Sequence, residues 1–491
     1  MRIRSNRFKL FFIFYLQIIT VHFSAGIPDD LSDHIRANYE TWEWSSEDLG
    51  MMGWAFERSY NDHSYIALQT WMAMQGERGG FITLGFDGGY RFDLSPYASL
   101  DTGMYLGAGG GRGGYHLSGG GLMLRPHVSV LWRGWDAFDL AAGLSYVVFP
   151  NEGTIESVQP YIQLSLPYDH AGNRTWELDR NILSGFHSMG AVGRHLSVKR
   201  GTINEAGEAQ LNFGLVGIEA RSEFTEGFYV KVETEGAAQG HSTGYMQILG
   251  GIGKEHQVNN YLALFGEVAL GGGGGGGVST GGGMLLDGAL GARFGLSETF
   301  YIGASGGYLH APDGDLSGYT LALKCGYQPS SSKSDLSSTP FLPSFTHTRI
   351  RYAYQQYLRG NDMWRSHHKD ENVGNIGVQL DAFIDPHWFL TGQGFAAADG
   401  NAGAYMTGLL GVGYQHDLNK TFFSTSELLI GAAGGGGLQM GSGLVMQVNT
   451  GFGVRMTDTL DLVFQAGRLE ALDGAFVATV VGASVQSELD W

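Results

Sequence analysis

One cysteine, Cys325, in 491 residues permits no intramolecular disulfide, and both a disulfide-stapled secreted scaffold and a thiolate metal site fall with it. Proline is sparse, 11 residues beside 79 glycines, and no Gly-X-Y period runs through the glycine, so a collagen-like chain is excluded. Basic side chains are outnumbered: 30 Lys and Arg stand against 48 Asp and Glu, a net charge of −18, with no basic stripe beyond the N-terminal residues. Nucleic acid is therefore not an expected partner, because phosphate binding needs clustered Lys and Arg. Disorder is excluded as well, since 43% hydrophobic and 12% aromatic residues are too much apolar surface to leave in water.

What is present first sets the compartment. Arg2, Arg4, Arg7 and Lys9 form a basic head, Leu10 to Val21 an apolar core, and Ser24-Ala25-Gly26 a small-residue cleavage site. Residues 1–25 thus read as a secretory signal peptide. A single anchor helix is the other reading, but the run is short for the ~20 residues a span needs. No cysteine follows it, which excludes a lipoprotein anchor. No later apolar run is long enough for a spanning helix, so the exported chain is either free or inserted as a closed β-barrel.

Hydrophobic periodicity separates these two. Leu444, Met446, Val448, Thr450, Phe452, Val454 and Met456 form one face of a segment whose other face is Gln447, Asn449, Gly451, Gly453 and Arg455. The same alternation sets Met284, Leu286, Leu290, Ala292 and Phe294 against Asp287, Gly291 and Arg293, and Ile66, Leu68, Met72 and Met74 against Ala67, Gln69 and Ala73. A period of two sustained this long means strands. Soluble sandwiches alternate too, but over ~5–6 residues, whereas a tilted strand needs ~9–11 to cross a membrane.

The last segment is more specific. Val477, Val481, Ala483, Val485, Leu489 and Trp491 share one face, Gly482, Ser484, Gln486, Glu488 and Asp490 the other, and an aromatic residue ends the chain. In this the sequence resembles bacterial outer-membrane β-barrel proteins, whose final strand ends in Phe or Trp as a signal for the barrel-insertion machinery. The Glu488 to Asp490 stretch is more acidic than that pattern. The resemblance implies an outer-membrane location, Trp491 as the insertion signal, and the insertion machinery, outer-membrane lipid and lipopolysaccharide as partners.

An internal repeat organises the remainder. Glycine-rich runs begin at Gly107, Gly271 and Gly431, at intervals of 164 and 160 residues, and the landmarks Gly143, Gly307 and Gly467 keep the same intervals. Three copies of one unit follow: residues 26–168, 194–327 and 345–491, joined by a polar stretch, 169–193, and a Ser/Pro-rich one, 328–344. The third copy holds eight candidate strands: Arg349 to Leu358, Ile376 to Ile384, Trp388 to Ala397, Tyr405 to Gln415, Phe422 to Ala433, Leu444 to Met456, Leu460 to Leu469 and Phe476 to Trp491. The expected fold is all-β, a transmembrane antiparallel barrel of about 24 strands, with three tandem eight-stranded barrels as the alternative.

Glycine in a strand weakens pairing, so the runs serve either bent strand ends leading into loops or places where another segment approaches the wall. Hairpin turns centred near Thr280 and Gly441 set Glu267 opposite Arg293 and Glu427 opposite Arg455. The first copy offers Gly103 and Arg133 instead, with Asp101 one diagonal away. Alternation turns these charges toward a water-filled lumen, as wall structure or as selectivity elements. His367 and His368 with Asp370 read as a solvated loop, and Asp313 and Asp315 as a turn lacking the acids of a calcium loop. His116-Leu117-Ser118 has the His-x-Ser spacing of outer-membrane lipid A deacylases without a partnering acid. No catalytic residue, cofactor or metal ligand is assigned. The expected function is an outer-membrane channel or translocation barrel passing a hydrophilic solute or an exported polymer. The alternatives are a lipid-modifying enzyme and a surface barrel acting as an adhesin through its loops.

Overall fold

The alternating segments form long antiparallel strands. The computed structural model describes residues 33–44, 47–59, 61, 63–135, 138–169, 183–184, 188–225, 227–297, 299–328, 347–457 and 460–489. Residues 1–25, expected to be a signal peptide, Trp491 and most of both connecting stretches lie outside them. Barrel one comprises β1 (Asp33–Trp44), β2 (Glu47–Ser59), β3 (Ser64–Gln75), β4 (Ile82–Ser95), β5 (Ala98–Gly110), β6 (Leu122–Trp132), β7 (Asp139–Val148) and β8 (Glu156–Asp169), with a one-turn helix α1 (Tyr115–Ser118) between β5 and β6. A two-residue strand, β9 (Leu183–Ser184), runs parallel beside β8. Barrel two is β10 (Ser188–Val198), β11 (Phe213–Thr225), β12 (Phe228–Gln239), β13 (Met246–Gln257), β14 (Leu262–Gly274), β15 (Met284–Gly295), β16 (Phe300–His310) and β17 (Ser317–Tyr327). Its first strand starts inside the stretch expected to be a connecting loop. Barrel three is β18 (His347–Arg359), β19 (Val373–Phe383), β20 (Trp388–Asp399), β21 (Met406–Asp417), β22 (Phe422–Gly434), β23 (Leu444–Arg455), β24 (Leu460–Ala471) and β25 (Val477–Leu489).

The expected single wall of about 24 strands does not form. β1 pairs with β8, setting Ile35 opposite Leu166; β10 pairs with β17, setting Arg194 opposite Ala322; and β18 pairs with β25, setting Tyr352 opposite Val485. Each copy therefore closes on itself as eight strands. The physical reason is the edge: once a copy's last strand pairs with its own first, no unpaired row of N–H and C=O groups remains to recruit a neighbour. A chain ending at Pro329 is accordingly expected to retain two closed barrels, seen as protease-resistant, heat-modifiable protein. Complete digestion of that fragment would mean that closure depends on the third copy.

An even strand number returns both ends of each barrel to one side, the side of the short turns. Asn259 and Asn419 cap two of these, each side-chain oxygen accepting backbone N–H bonds from Tyr261 and Leu262 or from Thr421 and Phe422. The long loops, including residues 111–121, 275–283 and 435–443, stand at the opposite end.

The glycine runs are where the barrels touch. Barrel two meets barrel one at the Gly79 N–H, which donates to the Gly281 carbonyl at 2.9 Å, and a Cβ on Gly274 would lie 2.6 Å from the carbonyl carbon of Gly79. Barrel one meets barrel three in the same manner: the Gly403 N–H donates to the Gly119 carbonyl at 2.9 Å and Asn151 Nδ2 to the Ala398 carbonyl at 2.8 Å. Barrel three meets barrel two through Ser442 Oγ, which donates to the Ala238 carbonyl at 3.3 Å. The carbonyls of Ala73, Ala237 and Ala397, one per copy, each face a glycine of the neighbouring barrel, Gly283, Gly443 and Gly121, with no room for a side chain. One head-to-tail contact used three times closes a cyclic trio. Where the barrels converge, Met72, Met74, Ile82 and Ile248 are buried, packed by Met52, Met246, Met284 and Met406, flexible thioethers that fill an irregular gap. The Met72 and Met74 face read as a greasy outer wall is thus covered by protein.

Candidate lumen sites

Each wall sorts its residues by parity. Along β14, Ala263, Phe265, Glu267 and Ala269 point inward and are buried, while Leu264, Val268 and Leu270 point outward and are exposed. Away from the inter-barrel contacts the outward rows stay apolar: Val128, Val130 and Trp132, Leu286, Leu290 and Phe294, Tyr319, Leu321 and Leu323, Val448 and Phe452.

The interiors carry the charge. In barrel one, Arg36 bonds Asp87 at 2.6 Å, Arg91 bridges Glu57 (2.7 Å) and Asp101 (3.1 Å), Arg125 grips Glu40 at 2.6 Å, and His127 Nε2 lies 2.9 Å from Asp87. Barrel two is denser. Arg194 contacts Glu233, Glu235 and Asp287, while Glu267 receives Lys231 at 2.7 Å, Tyr229 Oη at 2.9 Å and Lys324 at 3.2 Å. Carboxylates of Glu219, Glu233 and Glu267 converge as closely as ion ligands would. Lys231 and Lys324 ammonium groups lie among them, so side-chain cations stand where an ion would. Barrel three is less charged: Arg351 joins Asp381 and Glu427, both at 2.6 Å, and Gln379 and Asn449 amides donate to Glu427 at 3.1 Å.

Glu267 and Glu427 therefore sit in lumens, but not opposite the arginines expected. Glu267 faces Ala289, and Glu427 faces Asn449. The 275–283 loop folds back on itself, Val278 N–H to the Gly275 carbonyl at 3.0 Å, which shifts the register toward the glycine run. Arg293 and Arg455 lie at the short-turn mouths, bound to Glu255 (2.5 Å) and Asp417 (2.6 Å). Arg133 is at the corresponding mouth of barrel one, 3.7 Å from Asp93. The partner acids Asp93, Glu255 and Asp417 recur every 162 residues, a signal that repeat spacing alone could have supplied. In barrel three this mouth opens into a cavity of about 360 Å³ lined by Arg349, Lys420, Arg455, Asp461 and Gln486.

The long-loop ends are closed by apolar side chains. Trp42, Trp71, Phe81, Tyr105 and Phe149 fill barrel one, Phe213, Tyr245, Leu249, Leu285 and Leu309 barrel two, and Tyr357, Trp364, Tyr405, Leu438 and Phe476 barrel three. The Ser118 hydroxyl is buried and donates to the Gly114 carbonyl, whereas His116 is exposed, so the two are not a catalytic pair. Asp370 turns to Arg359 at 2.5 Å, away from His367 and His368.

No family model and no curated protein matches the chain. In structure it is similar to bacterial outer-membrane β-barrel proteins, a siderophore receptor among them. The siderophore receptor PirA from Pseudomonas aeruginosa aligns with a TM-score of 0.31 at 9% identity, over 95% of this chain and 81% of that one. OccAB4 from Acinetobacter baumannii gives 0.23 at 8% identity, over 93% of this chain and 97% of that one. Superpositions this loose carry no functional argument, which has to come from the chain's own lumens and walls.

Proposed function

We propose that the protein spans a bacterial outer membrane as a cyclic trio of eight-stranded barrels and belongs to the channel class, with its lumens shut in this conformation. One observation carries the reading: charge is inside and apolar surface outside. Leu290 is 74% exposed and Tyr319 67%, while Arg351 and Glu233 are fully buried, an inversion that suits a lipid surround and closed strands. Stacked or tilted aromatic pairs stand on the outer wall near the short turns of all three barrels, Tyr97–Trp132, Tyr261–Phe294 and Phe422–Phe452, as interface belts do. On this reading the short turns and both linkers face the periplasm and the long loops face outward, toward lipopolysaccharide. Polar side chains line each lumen from the short-turn mouth to mid-height, and the apolar cluster above is the barrier that a hydrophilic solute meets.

A second reading, a surface barrel that binds through its loops, is favoured by that same apolar closure. Planar-bilayer recording separates the two. Wild-type protein is expected to show infrequent small steps, and Phe213→Ala with Tyr245→Ala, which thins the barrel-two barrier, frequent ones. Silence from both proteins, each verified as folded by heat-modifiable migration, would remove the channel reading and leave the binding one.

A further inference from the structure

At the long-loop end of the contact between barrels one and three lies a side-chain cluster that no lumen uses. Helix α1 brings Tyr115 and His116 over the loop between β18 and β19. There the Tyr115 ring centre lies 4.7 Å from those of His367 and His368 and 3.9 Å from that of His116. Consecutive histidines in extended chain point apart, but His368 has a φ of 50°, and its ring centre comes to 5.5 Å from that of His367. That is about the separation of two imidazoles sharing one tetrahedral ion at metal–nitrogen distances of ~2.0–2.1 Å. Each ring has its Nδ1 engaged, His367 by Ser366 Oγ at 2.8 Å and His368 by Glu371 Oε1 at 3.3 Å. Outer partners of this kind orient ligating imidazoles and leave Nε2 to the metal. The Nε2 of His367 is buried and has no hydrogen-bond partner.

We propose that His116, His367 and His368 form a site for a divalent transition-metal ion that clasps barrel one to barrel three. His367 and His368 supply the fixed pair, and the exposed His116 swings in to complete three nitrogen ligands, a donor set suited to zinc or copper. Topology says why the clasp belongs here. The 170–187 stretch joins barrel one to barrel two and the 328–346 stretch joins two to three, so the contact between one and three is the junction without a covalent tether. The loops corresponding to that of α1, residues 275–283 and 435–443, contain no histidine.

The test uses the full chain folded in detergent, stripped with EDTA and titrated calorimetrically with zinc chloride. One equivalent is expected to bind saturably, at least tenfold more weakly in His116→Gln and in the double variant His367→Gln with His368→Gln, and unchanged in His310→Gln, at the loop end of barrel two. No saturable binding to the wild type, or wild-type affinity in His116→Gln, overturns the site. Because His116 is exposed, that variant decides the matter even if the double variant does not fold. The outcome is independent of whether the lumens conduct.

Discussion

Replacing Glu267 by Ala should unfold barrel two ahead of its neighbours. The carboxylate receives Lys231, Lys324, Arg221 and the Tyr229 hydroxyl inside a wall that excludes water. Removing it leaves three cations short of their shared counter-charge, and breaking a buried set from one side costs about 3–5 kcal/mol. A built-in contrast makes the effect local: all ten tryptophans lie outside residues 188–327. Guanidinium unfolding followed by circular dichroism should split, with an early phase for barrel two, while tryptophan fluorescence keeps the wild-type midpoint. Coincident shifts by both probes would mean that the three barrels unfold as one unit. Unshifted curves would mean that the lumen charges are hydrated and the network is not what holds the wall.

Valine at Gly434 should open the trio between barrels three and two. A Cβ there overlaps Gly244 Cα, a backbone atom of the adjacent barrel that cannot rotate away. Overpacking of a fitted contact typically costs about 1–3 kcal/mol, and a clash with main chain belongs at or above the top of that range. Gly408 supplies the control, since it too is in barrel three and nothing lies within 4 Å of its added Cβ. Gly434→Val should expose the 240–245 and 435–443 loops to protease and lower the thermal midpoint by several degrees, with Gly408→Val close to wild type. Equal behaviour of the two variants would show that the runs serve strand curvature alone.

The strands were legible because burial on one side writes a period of two. In the third copy, Trp388 to Ala397 and Leu444 to Met456 were expected and Trp388–Asp399 and Leu444–Arg455 are observed. Closure was not legible, because a strand's sequence records which face is wet and says nothing of which edge it meets. β18 would read the same against β17 as against β25. Register failed at the glycine runs for a related reason: with no side chains, Gly271 to Gly277 could not mark where β14 ends and its turn begins. Glu267 and Glu427 are buried within their barrels, yet the charged partners they bond lie on strands two or more away, as Lys324 does from Glu267. Curvature brings such residues together, and a flat hairpin model cannot. The cluster around Tyr115 was not legible, since Tyr115 meets His367 and His368 only after two barrels have docked.

Fusing three barrels into one chain removes a constraint that identical subunits obey, for a homotrimer must repeat one interior three times. Here Gly103 stands where the other copies have acids, and barrel three uses Gln379, Gln393 and Gln447 where barrel two has Glu219, Glu233 and Asp287. The linkers also set the local concentration of each neighbour, to the millimolar order for short tethers, so the glycine contacts need only keep order among barrels that cannot diffuse away. Three interiors can then drift apart in chemistry while their cyclic order stays fixed by the gene.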